Sequence, residues 1–125
     1  MFRPTPAALL RWALLYFVLG VSLGIHMSAS HDFAIMPVHA HVNLLGWVSL
    51  TLAALIYKSY PAAAASPLAK VHFWLQIVPL PILLGALYAY LRGHAEIEPL
   101  LAVGSIAVGA GAVALAINVF RNVRD

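Results

Sequence analysis

Four long apolar stretches, separated by short polar ones, set the pattern of this chain. They run from about Ala7 to His26, Pro37 to Tyr57, Val71 to Leu91 and Pro99 to Phe120. Each is about 20 residues long, the length at which a helix crosses a hydrocarbon core of about 30 Å. Short connections favour antiparallel neighbours. The pattern therefore predicts an all-α integral membrane protein. Its architecture is a four-helix up-down bundle forming one transmembrane domain over residues 1–125.

Local signals refine these segments. Arg3, Arg11 and Ser28-Ala29-Ser30 give the first segment some likeness to a signal peptide; we read it as a retained helix. Pro37 suits the first turn of the second helix, with Ser30 and Asp32 as candidate local caps. Pro79 and Pro81 are expected to bend or loosen the third helix, and Gln76, one turn earlier, to satisfy the freed backbone. Gly20 and Gly24 form a GxxxG step, and Ser105 and Gly109 a second small-residue step. Both predict close helix approach, with room for a flat ligand as the other reading. Trp12, Tyr57, Tyr60, Phe73, Trp74, Tyr88 and Tyr90 fall near segment ends, as interfacial aromatic belts do. The alanine-rich stretch between Pro61 and Pro67 reads as a plain connector.

Composition supports the membrane reading: 63% of the residues are hydrophobic and only 9% charged, which no soluble domain of this length requires. The absence of cysteine excludes disulfides, thiolate metal sites and cysteine nucleophiles. The six histidines are then the main ligand-capable side chains. The net charge of +3 lies at the segment ends and forms no nucleic-acid patch. Arg3, Arg11, Lys58, Lys70, Arg121 and Arg124 mark one side, and only Arg92, with Asp32, Glu96 and Glu98, the other. The positive-inside rule then puts both termini and the second loop in the cytoplasm. His26, His31, His39, His41 and His94 cluster towards the outer face.

The chemistry concentrates in Pro37-Val38-His39-Ala40-His41-Val42-Asn43-Leu44-Leu45-Gly46-Trp47. An unpartnered polar side chain in hydrocarbon costs several kcal/mol, so an intramembrane histidine is a candidate site. Residues i and i+2 on a helix are separated by about 200°, so His39 and His41 serve opposite sides of the second helix. Neutral imidazole ligates iron, zinc or copper, and planar haem suits an apolar bundle. The alternative is that both rings cap backbone carbonyls or bind interfacial water. Gly46 can open space for a macrocycle, and Asn43 is placed to bond within the bundle or to an imidazole. His26, His31 and Asp32 offer a second, weaker copper or zinc set. His72 reads as a helix-start residue too far away to join the same site.

His39-Ala40-His41, then Gly46 and Lys58, then Ala69-Lys70-Val71-His72-Phe73-Trp74-Leu75, resembles the haem-copper oxidase and nitric oxide reductase catalytic subunit superfamily. There an H-x-H pair opens the tenth helix and binds two haems, one on each side, and an A-K-[IV]-H-F-like stretch opens the eleventh. The resemblance covers Met36 to Arg92 and implies haem, b-type by preference, with His39 and His41 as axial ligands and Arg92 holding propionates. The helices that carry the family's copper-binding histidines and cross-linked tyrosine have no counterpart here, so no catalytic residue is assigned. One four-helix arc of a twelve-helix, threefold-symmetric fold implies a homo-oligomer, with a trimer favoured and a dimer as the smaller alternative. The expected function is a bis-histidine electron-transfer cytochrome of the bacterial inner membrane, its haem towards the periplasm and a quinol or other redox partner beside it. A haem-based oxygen or nitric oxide sensor or minimal reductase, and a cofactor-free accessory membrane protein, are the other readings.

Overall fold

A computed structural model describes every residue from Met1 to Asp125. Four helices, α1 (Pro6–Ser30), α2 (Met36–Ser59), α3 (Pro67–Leu91) and α4 (Ala95–Asn122), are each long and apolar enough to cross a membrane. No strand is present. α1 and α3 begin before their apolar stretches, at polar caps. Thr5 precedes Pro6 in extended conformation, and its hydroxyl accepts the Ala8 N–H at 3.1 Å. Ser28 to Ser30 continue α1, which stops at His31 in the left-handed region (φ 53°). Ser66 caps α3 by accepting the Leu68 N–H at 3.2 Å.

The topology is up-and-down. At one end Arg92, after α3, donates to Asp32, after α1, at 2.8 Å. At the other end Asn118 of α4 donates to the Ala63 carbonyl at 3.0 Å, tying a one-turn helix (Pro61–Ala65) to the end of α4. α1 packs along α2 and α4 along α3. Leu9, Leu50, Phe73 and Leu80 are fully enclosed in the shared core.

Several local expectations are corrected. Ser30 and Asp32 do not cap α2: Ser30 returns to the His26 carbonyl (2.8 Å), and Asp32 accepts the Ala34 N–H (3.0 Å). Ile35 precedes α2 with no side-chain cap. α3 is interrupted at Val78, just before Pro79, but Gln76 does not repair it. Its amide crosses to α2 and donates to the Leu45 carbonyl at 3.0 Å. Ser105 and Gly109 are not at a packed seam: Ser105 bonds its own helix, and a Cβ on Gly109 would meet nothing within 4 Å. The close approach of α3 and α4 occurs instead at Gly104 against Leu83 and Gly111 against Leu75. Tyr57 and Phe73 are core residues rather than interfacial belts, whereas Tyr60, Trp74, Tyr88 and Tyr90 are exposed.

The Asp32–Arg92 pair joins the two connections at one end of the bundle. The Arg92 guanidinium, then the Ala34 N–H, hold the Asp32 carboxyl below its ordinary value. A depressed carboxylate contributes stability that is complete above its unfolded pKa and is lost as pH falls through the folded one. Thermal unfolding in detergent should therefore show a loss of stability on acidification below about pH 4. Asp32→Asn should remove that part of the pH dependence. An unchanged acid profile in Asp32→Asn would mean that the pair contributes nothing there.

Candidate functional site

The first turns of α2 carry the histidine pair, and the helix widens immediately after it. Val42–Val48 is a π-helical segment. Such segments mark places where a side chain or neighbour is accommodated at the expense of regular α geometry. Here three groups fit around it. The Gly46 backbone takes the Tyr16 ring of α1, against which any Cβ would collide. The Leu45 carbonyl receives Gln76, and the Leu44 carbonyl receives the Ser49 hydroxyl at 2.6 Å. Gly46 therefore offers no room for a macrocycle within one chain, because Tyr16 already fills it.

The GxxxG step of α1 faces this region. A Cβ on Gly20 would overlap the Asn43 amide, and one on Gly24 would lie 3.1 Å from His39 Cε1. The two glycines thus admit polar side chains of α2 and not only its backbone. His39 is half-buried there, with Nδ1 2.8 Å from the Gly20 carbonyl. A carbonyl can only accept, so Nδ1 carries the proton. Asn43 donates to the His39 carbonyl at 2.9 Å. Its 3.3 Å approach to Nδ1 is a secondary contact, since that nitrogen already donates.

His41 lies on the other side of α2 and is exposed. Its Nδ1 is 2.7 Å from the Pro37 carbonyl, so it too is a donor there. Leu44, Val48, Leu52 and Leu55 follow on α2 as exposed apolar side chains.

Both rings therefore have the same arrangement. Nδ1–H is spent on a backbone carbonyl, and Nε2 is left as a lone pair with no protein partner. No polar side-chain atom is enclosed without a partner, so the free Nε2 of half-buried His39 retains access to the surroundings. A fixed tautomer with Nδ1–H on a carbonyl is the usual outer support of a metal-bound imidazole. The residues fit a ligand role at Nε2 in this respect. The three cavities of the chain are lined by other residues. His39 Nε2 lies at the seam with α1, 3.7 Å from where a Cβ on Gly24 would be, and His41 is on the exposed side of α2.

The remaining candidates separate. Arg92 bonds Asp32 and stacks over the Tyr88 ring, 5.5 Å from its centroid. His94 pairs with Glu96 at 3.2 Å. His26, His31 and Asp32 do not converge, and no group of three His, Asp or Glu side chains is gathered to hold a metal ion. His72, read as a helix-start residue, lies in the second turn of α3, is 3% exposed, and has its Nδ1 3.1 Å from the Tyr57 hydroxyl. The apolar run gave no sign of that pairing, because the two residues meet across the gap between α2 and α3.

These features define a membrane protein with four apolar helices and, on one of them, two imidazoles whose Nε2 atoms have no protein partner. No family model, no curated protein and no solved structure matches the chain.

Proposed function

We propose that this protein binds haem, b-type by preference, and transfers electrons in a bacterial inner membrane. The observation that carries the reading is the shared state of His39 and His41, each with Nδ1–H held by a carbonyl and Nε2 free. The resemblance of the H-x-H and K-V-H-F-W stretches to the haem-copper oxidase superfamily supports the same reading. Bound haem supplies reversible one-electron chemistry at its iron.

The chain's residues do the rest. His39 and His41 point to different sides of α2, so each completes its coordination from another copy. His39 of one subunit and His41 of the next would hold one shared haem through their Nε2 atoms. A closed trimer repeats this three times around an axis and brings together twelve helices. The exposed apolar stripe from Leu44 to Leu55 covers the faces of the macrocycle and keeps water away. Arg92 reaches a propionate by exchanging one carboxylate, Asp32, for another. Two imidazoles leave no open position for a gas, which favours electron transfer over oxygen or nitric oxide chemistry. The positive-inside rule puts both termini in the cytoplasm and the histidine pair towards the periplasm.

The test is the reduced-minus-oxidised absorption spectrum of purified protein, with native mass in detergent. A low-spin haem spectrum, unmoved by carbon monoxide, on an oligomer is expected. A colourless oligomer overturns haem binding, a carbon monoxide shift overturns bis-imidazole ligation, and haem-loaded monomers alone overturn the shared site.

A further inference from the structure

A cavity of about 320 Å³ lies between α2 and α4, with α3 as its back wall. Its lining is mostly apolar, from Leu45 on α2 to Val108 and Leu115 on α4. Its rim includes Ala112, Ala116 and Phe120, which are exposed on the side of the bundle. The cavity therefore opens sideways, towards hydrocarbon. Its back wall is polar: His72 and Gln76, each 3% exposed, line it one helical turn apart on α3.

Each of these side chains has spent one polar atom and kept another. His72 Nδ1 is held by the Tyr57 hydroxyl and Gln76 Nε2 by the Leu45 carbonyl. His72 Nε2 and Gln76 Oε1 have no protein partner. No polar side-chain atom is sealed in the protein without one. In residues this deeply buried, the only space those two atoms can reach is the cavity they line. Unpaired polar atoms facing an apolar slot cost free energy unless something bonds them.

We propose that this cavity binds the ring headgroup of a lipid-soluble quinone or quinol that enters from the bilayer. The apolar walls take the ring and the root of its tail, and the side opening lets the tail run into lipid. The Tyr57–His72 pair suits a ligand whose ring oxygens alternate between carbonyl and hydroxyl. When the Tyr57 hydroxyl donates to Nδ1, Nε2–H is a donor for a quinone carbonyl. When Nδ1–H donates to Tyr57, Nε2 accepts from a quinol hydroxyl. Gln76 Oε1 accepts a hydroxyl in the reduced form. The site is on different residues from His39 and His41, and it stands whether or not the chain carries haem.

The experiment titrates purified protein in detergent with decyl-benzoquinone and follows quenching of tryptophan fluorescence, with decylbenzene as competitor. Saturable binding is expected, with His72→Phe and Gln76→Leu each weakening it about tenfold, the effect of losing one buried hydrogen bond. Because those side chains are buried, Ala112→Phe and Ala116→Phe are tested beside them. These exposed rim positions leave the Tyr57–His72 bond in place, and their rings should block entry and weaken binding by a similar factor. An unchanged Kd in the two rim variants overturns the proposal, and so does an unchanged Kd in folded His72→Phe and Gln76→Leu. Equal displacement by decylbenzene also overturns it, because the cavity would then recognise an alkyl chain and not ring oxygens.

Discussion

Replacing His39 and His41 together by alanine should, on the proposed haem-binding function, abolish haem absorption, with the haem-to-protein ratio falling at least about tenfold. Without the two proposed ligand nitrogens only apolar contact would retain the group, and losing a group that merely hydrogen-bonds a ligand already costs about 10–100-fold in metal affinity. The single variants should behave differently. In a ring of copies where each site takes one His39 and one His41, either single change removes one ligand from every site. The low-spin spectrum should then become high-spin, and carbon monoxide should bind where it did not before. If each haem instead takes two copies of the same residue, one single variant abolishes the signal and the other leaves it intact. The three spectra therefore distinguish the shared arrangement from its rivals. Circular dichroism checks that the helices remain: His41 is exposed, so His41→Ala removes no core packing. A wild-type low-spin spectrum in both single variants would move the site elsewhere.

The helices themselves were legible because each is announced within its own stretch of chain. Length and apolarity located α1 to α4, and the charges at Arg3, Lys58, Lys70 and Arg121 fixed which ends lie together. That His39 and His41 have different surroundings followed from helical geometry alone: His39 bonds the Gly20 carbonyl of α1, and exposed His41 bonds only the Pro37 carbonyl of its own helix. What escaped depends on residues far apart in sequence. Gln76 lies 31 positions from the Leu45 carbonyl it serves, and Tyr57 lies 15 from His72. An apolar run in a membrane carries no polar face to orient it, so which side of α3 meets α2 is decided by packing. The π-helical turn after His41 is of the same kind. It answers to Tyr16 and Gln76 on other helices, and Val42 to Val48 show no local reason to depart from α geometry. The glycines show the division well. Gly20 and Gly24 were legible as a place of close approach, but that the approaching groups are the Asn43 amide and the His39 ring was not.

Gly46→Ala should destabilise the protein by about 1–3 kcal/mol, the usual cost of overpacking a filled site. The added methyl would meet Tyr16 at Cβ, Cγ and Cδ1, the root of the side chain, which cannot swing away without moving α1. Tyr16 is itself buried, so it has no alternative place to go. Gly85→Ala and Gly109→Ala provide the comparison. Both lie in helices with nothing within 4 Å of an added Cβ, so the higher helix propensity of alanine should leave stability unchanged or raise it by up to about 1 kcal/mol. Gly20→Ala falls between them: the Asn43 amide is a movable end, but moving it sacrifices its bond to the His39 carbonyl. Thermal unfolding in one detergent ranks the four variants. A Gly46→Ala protein as stable as Gly109→Ala would mean that Tyr16 does not pack into the widened turn of α2. The ranking also separates scaffold from site. Gly46→Ala should lower the unfolding temperature while the surviving folded protein keeps its haem content, because Tyr16 does not touch an imidazole nitrogen. Gly20→Ala should lower haem content more than its loss of stability accounts for, because the Asn43 amide that the new methyl displaces lies 3.3 Å from the His39 Nδ1 that the Gly20 carbonyl holds.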